Sequence, residues 1–568
     1  MIRKLTKLLT KLLTKRDKLL LLMLFLFSIF ISLIETIGIS VIMPFIAVVS
    51  DFNLIQSNQY YSSIYSFFNL KSDVEFALFF GGFLIFFYIF RAVINLIYYN
   101  SVNQYTYGRY YQLTHRLFTN FMGMKYQDFE EKNTSSLTKS IINEAENVST
   151  IIRSSLHIMT EFVVFVFIYG VMLYVNYKLT ILVTLVLMIN GILMLNTISK
   201  SLKKLGVLRS NYQQEFYEII KKSFNNFKLI KLHVQDNKVL NQFSTSSYAY
   251  SQAIKINTTY GHIPRLFLEA VGFSIIVFVI SYIVWLNDDS IAEYLPVISL
   301  FVIALYRLMP SLNRIVENYN IILFNHRALE IVDMDLSYEK EKLGDKKVNL
   351  LNGISLKNLE FEYEIDKSVL SNVNLIIPKG SNIGFIGESG SGKSTLIDII
   401  MGLHKPKQGQ LISDNTIIDE SNMKSWRSKI GYIPQSIYLF DGTVAENVIF
   451  GLEYDEAKLI KVLKQAQIFD FLQSKNSIKT LVGDGGVLLS GGQNQRIAIA
   501  RALYTDPEIL VLDEATSSLD EETEREIMNE IYSNIGDKTL IIVAHRLSTT
   551  DRCDKIFLVK NGNIYEQK

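Results

Sequence analysis

From Leu19 to Val49 the chain is almost continuously apolar, with Glu35 its only charge, and no other stretch limits the fold so strongly. Hydrocarbon offers backbone groups no water, so a run of this length folds as a helix and crosses a bilayer with turns to spare. Five further runs follow: Phe76 to Tyr99, Ile158 to Val175, Leu179 to Ile198, Leu266 to Leu286, and Tyr294 to Met309, the last with Pro296 and Pro310 near its ends. Composition agrees. With 568 residues, 49% of them hydrophobic, and a mean hydropathy of +0.21, the chain is too apolar for a purely water-soluble enzyme. A net charge of +2 gives no case for nucleic-acid binding, and a single cysteine, Cys553, excludes an internal disulfide framework.

Loop charges set the orientation. Arg3, Lys4, Lys7, Lys11, Lys15, Arg16 and Lys18 precede the first run, and the loops after the second and fourth are rich in Lys and Arg. Between runs one and two the only base is Lys71, and between five and six there are Asp288, Asp289 and Glu293 without a base. The positive-inside rule then places both termini in the cytoplasm. The two basic loops, at roughly 60 residues each, are too long for turns and are expected to carry the membrane helices on into the cytosol.

Smaller features refine this layout. Leu5, Leu8, Leu9, Leu12 and Leu13 recur at helical spacing opposite Lys4, Lys7, Lys11 and Lys15, which predicts an interfacial amphipathic helix over residues 1–17. A transit peptide, the alternative, would carry more Arg and Ser. In the first outer loop Tyr60, Tyr61, Ile64, Phe67 and Phe68 share a helical spacing. They form either a short helix on the outer leaflet or a cap packed over its neighbours. The transmembrane domain is expected over 18–335. A linker at 336–349 contains the charged run Glu339 to Lys347, and a soluble domain follows over 350–568.

Within the soluble domain, strand-like runs such as Ile383 to Ile386, Ile509 to Leu512 and Thr539 to Val543 alternate with helical ones, the pattern of an α/β fold with a largely parallel sheet. Directly after the first of these stands Gly387-Glu388-Ser389-Gly390-Ser391-Gly392-Lys393-Ser394-Thr395, and a helical run follows. In that setting it reads as a phosphate-binding loop. Glycines let backbone N–H groups close around phosphates, Lys393 adds a cation, and the Ser394 hydroxyl is a ligand for Mg²⁺. Downstream, Asp513 closes an apolar strand where a carboxylate can hold the Mg²⁺ shell, and Glu514 is placed to polarise an attacking water.

Leu489-Ser490-Gly491-Gly492-Gln493, then Ile509 to Glu514, then Ser517-Ser518-Leu519-Asp520 and Ala544-His545-Arg546 occur in an order that resembles the nucleotide-binding domain of the ABC transporter superfamily. With six spans in front, the chain is similar to an exporter-type half-transporter: six transmembrane helices plus an α/β ABC domain. The resemblance implies ATP and Mg²⁺ as cofactors. It also implies roles for Gln435 as a Mg²⁺ sensor, His545 as the residue that steadies the γ-phosphate, and Tyr363 as the aromatic that stacks on adenine. Ser490, Gly491, Gly492, Gln493 and Asp520 would act on the ATP held by a second subunit. One copy of each motif then implies a homodimer with two ATP at the shared seam. Asn494 and Asp484 depart from the commoner family residues without removing a catalytic group.

The membrane half points to a cargo. Counted along its helix from Phe76, Arg91 lies about 23 Å deep, and Arg307 lies about 20 Å from Tyr294, within a ~30 Å core. Arg265 and Arg314 fall near the inner boundary, where each alone is explained by snorkelling. Together the four arginines are expected to line a cavity that takes a phosphate-bearing lipid. The strings Ile34-Glu35-Thr36, Phe87 to Ala92, Ile263-Pro264-Arg265 and Leu305 to Ser311 resemble the PglK-type family of bacterial lipid-linked oligosaccharide flippases. That resemblance implies ATP-driven transfer of an undecaprenyl-pyrophosphate-linked oligosaccharide to the periplasmic side of the inner membrane, for protein N-glycosylation or lipopolysaccharide assembly. An exporter of peptides, drugs or other lipids would share every nucleotide motif. An ATP-gated channel or sensor is the reading from another class.

Overall fold

All six apolar runs are helical in the computed structural model, the first of them split over two helices; the structure describes residues 2–286, 291–363, 368–514, 521–544 and 547–567. In chain order the principal helices of the first part are α1 (Ile2–Leu12), α2 (Lys15–Ser40), α3 (Ile42–Ser50), α4 (Gln59–Phe67), α5 (Asp73–Met122), α6 (Tyr126–Glu130), α7 (Ala145–Val175), α8 (Tyr177–Asn225), α9 (Phe227–Leu232), α10 (Asp236–Leu286) and α11 (Ile291–Asp335). Among the described residues, Lys15–Ser50, Asp73–Met122 and Thr134–Val175 are long and apolar enough to cross a membrane. Helix α5, at 50 residues, is about 75 Å long, more than twice a ~30 Å hydrocarbon core. The excess of α5, and of the similarly long α8 and α10, occupies the two basic loops.

Local chemistry sets the ends. Thr14 and Asp17 form a capping box at the start of α2, and Ser72 caps α5 by accepting the Glu75 N–H at 3.2 Å. Within α2 the hydroxyls of Ser28, Ser32, Thr36 and Ser40 donate to carbonyls three or four residues back, so none is left unpaired in an apolar setting. Pro44 has no N–H to continue the ladder, and the span breaks at Val41 into α2 and α3. The residues of this unit that pack most tightly include Val102, Leu117, Ala145, Ile151, Ala328 and Val332, each no more than 1% exposed.

Three segments gain detail. Helix α1 does not spend its apolar face on lipid alone: Leu12 and Leu13 are buried against protein, in a cluster that includes Leu117 and Ile152, and Lys11 pairs with Asp333 at 2.6 Å. A leucine stripe is satisfied equally by lipid or by a helix bundle, and spacing does not separate the two. Helix α4 is two-sided, with Tyr61 and Tyr65 against Phe76 at centroid separations of 6.2 and 6.1 Å and Tyr60 and Phe67 exposed. The charged run read as a linker is tied down. Glu341 takes both Arg427 terminal nitrogens, at 3.0 and 2.5 Å, Gly344 N–H donates to Glu420 O at 2.7 Å, and Lys346 N–H to Ser421 O at 3.1 Å. A Cβ on Gly344 would lie 2.2 Å from Ser421 O, so only glycine permits that approach.

The second compact unit comprises Lys125–Glu130 together with Lys340–Lys568. Its strands are β1 (Gly353–Glu362), β2 (Ser368–Pro378), β3 (Asn382–Ile386), β4 (Gln408–Ser413), β5 (Thr416–Ile417), β6 (Ile430–Ile433), β7 (Ile509–Asp513), β8 (Thr539–Val543), β9 (Lys555–Lys560) and β10 (Asn563–Glu566). A four-stranded antiparallel sheet runs β2-β1-β4-β5, and a six-stranded one runs β10-β9-β3-β8-β7-β6, parallel except for β10. Every residue of β8 is buried, as a strand covered on both faces requires. Phe385 of β3 and Asp513 of β7 both register with Val543 of β8, so the loops that leave β3 and β7 emerge at one edge, flanking the same strand. That edge is where an open parallel sheet binds ligands.

Before α7 the chain buries an ion pair: Lys139 Nζ lies 3.1 Å from Glu144 Oε1, with side chains 4% and 0% exposed. Lys139 also donates to Ser210 O and Oγ, at 2.8 and 2.9 Å. Removing one partner strands the other charge. Glu144→Ala is expected to destabilise the protein by about 3 kcal/mol, and the Lys139→Met/Glu144→Leu double variant by less, read from melting of the purified protein in detergent.

Candidate functional site

At the end of β3 the loop Gly387 to Gly392 turns into α12 (Lys393–Ile400). Gly390 and Gly392 have φ of +78° and +102°, a left-handed backbone that suits glycine, and a Cβ at Gly387 would meet Val559 O at 2.3 Å. Lys393 is 4% exposed and curls back over the loop, its Nζ donating to Gly387 O at 2.8 Å and Glu388 O at 2.9 Å. Burial pushes its ammonium below the ordinary lysine range, and the charges of Glu514 and Asp513 oppose that shift. Ser391 Oγ is buried in the middle of the turn, without a hydrogen-bond partner among the described residues. A cradle of glycines, a folded-back lysine and an orphaned hydroxyl fit a polyphosphate.

Across β8, Asp513 ends β7 and accepts the Tyr432 hydroxyl at 3.2 Å. Its carboxyl is pushed up by burial and by the neighbouring Glu514 charge, with the Tyr432 bond opposing. Glu514 occupies the left-handed region at φ +48°, a strained setting for a non-glycine residue, and its N–H donates to Val543 O at 3.1 Å. Gln435 Nε2 donates to Glu514 Oε2 at 2.5 Å. The carboxylate of Asp513, the amide oxygen of Gln435 and the hydroxyl of Ser394 are hard oxygen donors of the kind Mg²⁺ takes, together with phosphate and water. Tyr363 lies at the other end of the loop, its hydroxyl 3.1 Å from Thr395 Oγ1 and its ring edge-on to His404 at 5.5 Å.

Ser490 caps α13 (Gly491–Tyr504), in a reciprocal box with Gln493. Among the described residues no hydrogen bond joins it to the loop at 387–395. His545 and Asp520 lie outside the described residues, as do Ser517 and Asp288.

Sequence reasoning passed over one group. Helix α6 belongs to the nucleotide unit, where Glu130 Oε2 lies 3.2 Å from Nε2 of His404 and Tyr126 packs on the same ring at 5.6 Å. Nearby Asp398 of α12 is pushed up to about 7, chiefly by burial and then by Glu130 and Asp513.

In the membrane unit Arg91, Arg307 and Arg314 come together, and two carboxylates join them. Glu35 Oε1 lies 3.2 Å from Arg91 Nη2, and Glu35 Oε2 pairs with Arg307 Nη2. Glu161 holds Arg314 Nε at 2.5 Å and lies 3.8 Å from Arg307 Nη1. An acid within an apolar run was the available signal for both. Arg265 does not join them: it is exposed and pairs with Glu269 one turn along α10 at 2.9 Å. Depth alone suggested convergence; α10 packs on α8 and on α11, which carries Arg307 and Arg314, yet the Arg265 guanidinium is taken by an acid of its own helix.

Glu514→Gln is expected to lower ATP hydrolysis about 100-fold or more while nucleotide binding persists, measured by phosphate release beside nucleotide binding. Asp398 carries a folded-state pKa above its unfolded value, so the nucleotide-free protein loses stability as pH rises from about 4 to about 7. Asp398→Asn should remove that loss. The variant then melts higher than the parent at pH 8, by a margin on the order of 1–2 kcal/mol, and alike near pH 4.

Comparison with known proteins agrees with this geometry. A family model described as ABC transporter transmembrane region matches residues 21–309, and one described as ABC transporter matches residues 370–517. The ATP-dependent lipid A-core flippase of Paraburkholderia xenovorans (strain LB400) is 28% identical over 497 residues, 84% of this chain and 82% of its own length. The protein of the same description from Pseudoalteromonas translucida (strain TAC 125) is 29% identical over 467 residues, 80% of this chain and 79% of its own. A solved bacterial Atm1-family ABC exporter with ATP bound shares the fold, with a TM-score of 0.76 at 21% identity over 97% of this chain and 95% of that one. With both regions matched and the exporter fold shared, the chain belongs to the ABC transporters and is an ATP-hydrolysing exporter-type half-transporter.

Proposed function

We infer that two copies of this chain bind two ATP between them and use the cycle to flip an undecaprenyl-pyrophosphate-linked oligosaccharide from the cytoplasmic to the periplasmic side of a bacterial inner membrane. The termini and nucleotide units then lie in the cytoplasm, as the loop charges favour. Homodimerisation is supported by one copy of each nucleotide motif and by a Ser490 cap that shares no hydrogen bond with its own phosphate loop among the described residues. In that assembly Ser490 to Gln493 complete the partner's ATP site, Glu514 is the general base, and Asp513, Gln435 and Ser394 hold Mg²⁺.

The cargo reading rests on one observation, the gathering of Arg91, Arg307 and Arg314 between membrane helices with side chains 22%, 18% and 38% exposed. Three guanidinium groups are costly in a bilayer unless they serve an anion, and their planar donors match phosphate oxygens. The relatives are named as flippases of lipid A-core, which favours a lipid over a peptide or a drug and makes lipid A-core the second candidate cargo.

Reconstitution in liposomes separates the two. ATP-dependent exposure of undecaprenyl-pyrophosphate oligosaccharide on the far leaflet, without exposure of lipid A-core, is the expected result; the reverse result reassigns the cargo. Arg91→Ala/Arg307→Ala should reduce flipping at least about tenfold and abolish stimulation of ATPase by the lipid, the effect of losing two charged contacts.

A further inference from the structure

Three guanidinium groups meet two carboxylates, and the acids and bases are not equally accessible. Glu35 and Glu161 are each 7% exposed at the side chain, against 22%, 18% and 38% for Arg91, Arg307 and Arg314. The acids lie at the back and the bases at the front. One carboxylate, Glu35, spans arginines from two different helices, α5 and α11, with a separate oxygen to each. That is the bridging pattern a phosphate makes between two guanidinium groups. Donor capacity remains unused. Arg307 Nε is buried without a hydrogen-bond acceptor among the described residues, and the cluster carries a formal charge of +1, from three bases and two acids.

We propose that Glu35 and Glu161 are built-in counter-anions that occupy the arginines when no cargo is present, and that the cargo's phosphate enters by displacing them and leaves when they return. This rests on the cargo reading above and adds to it how the empty site's charge is offset and how the site lets go. Without the acids, three half-buried guanidinium groups would crowd together uncompensated, and the empty site would be costly to hold together. With them, every arginine has a partner in both states. A pyrophosphate wins the exchange on entry because it brings more charge and more acceptor oxygens than a carboxylate, and it can satisfy Arg307 Nε as well. The carboxylates stay on their helices throughout, so the competing anion is always at hand and affinity is held below what three free arginines would give.

The test uses the full-length protein in lipid nanodiscs, with saturating Mg·ADP so that the phosphate loop does not compete. Binding of undecaprenyl pyrophosphate and of inorganic pyrophosphate is measured for the wild type and for Glu35→Gln, Glu161→Gln and Arg91→Ala/Arg307→Ala. Glu35→Gln is expected to bind both probes about tenfold more tightly, the scale of one contact charge, and to flip lipid-linked oligosaccharide several-fold more slowly because cargo is held. Glu161→Gln should shift in the same direction, and it carries the test alone if Glu35→Gln does not purify folded. Unchanged or weaker binding in the folded glutamine variants overturns the proposal. So does tightening confined to the lipid probe, which would signal altered packing instead of anion competition. If the arginine double variant still binds and flips, the cargo reading fails first; if it is inactive while the glutamine variants match the wild type, only the counter-anion idea fails.

Discussion

A charge inside a bilayer must be neutralised where it stands, and the membrane unit meets that demand by setting Glu35 between Arg91 and Arg307 and Glu161 between Arg307 and Arg314. The chain of pairs ties α2, α5, α7 and α11 to one another through side chains that apolar packing alone would not order. Leucine against leucine leaves the rotation of a helix loosely defined, whereas an ion pair fixes it. The Tyr88 hydroxyl, donating to Gly38 O at 2.8 Å, and Arg307 donating to Ser311 Oγ at 3.2 Å extend the same polar seam. The positions that define the packing of these helices are therefore also the positions suited to an anion.

The nucleotide unit handles anions by a different route. There the donors are mostly backbone N–H groups of a glycine turn, and a single buried lysine supplies the positive charge. Its acids are placed by strand register. Because Phe385 and Asp513 oppose the same residue of β8, the phosphate turn and the two carboxylates share an edge. The left-handed backbone at Glu514 then aims its side chain to meet Gln435, a direction an extended continuation of β7 would not give.

Much of this was legible in the residues. Runs of twenty apolar residues admit little besides a membrane helix, and a glycine loop between a strand and a helix declares its ligand. What was not legible depends on helix rotation and neighbour choice. Arg265 lies at a suitable depth yet pairs with Glu269 of its own helix, since depth follows from counting and partner choice does not. Glu161 sits near the start of an apolar run, where its partner on α11, four helices further along the chain, cannot be read. The leucine stripe of α1 names a face but not what covers it, and the charged run at 339–347 has a linker's composition while its backbone bonds to Glu420 and Ser421.

The membership of Lys125–Glu130 in the nucleotide unit has a practical side. These six residues lie more than two hundred positions ahead of the rest of that unit, and Tyr126 and Glu130 both meet the imidazole of His404, whose side chain is 0% exposed. An excised fragment that starts at Lys340 therefore lacks its own lid over that ring. Water would reach a surface that the intact polypeptide keeps dry, next to the helix that begins with Lys393. Constants measured on such a fragment describe an uncovered enzyme, and supplying the missing hexapeptide in trans would be a way to restore the natural surroundings of His404.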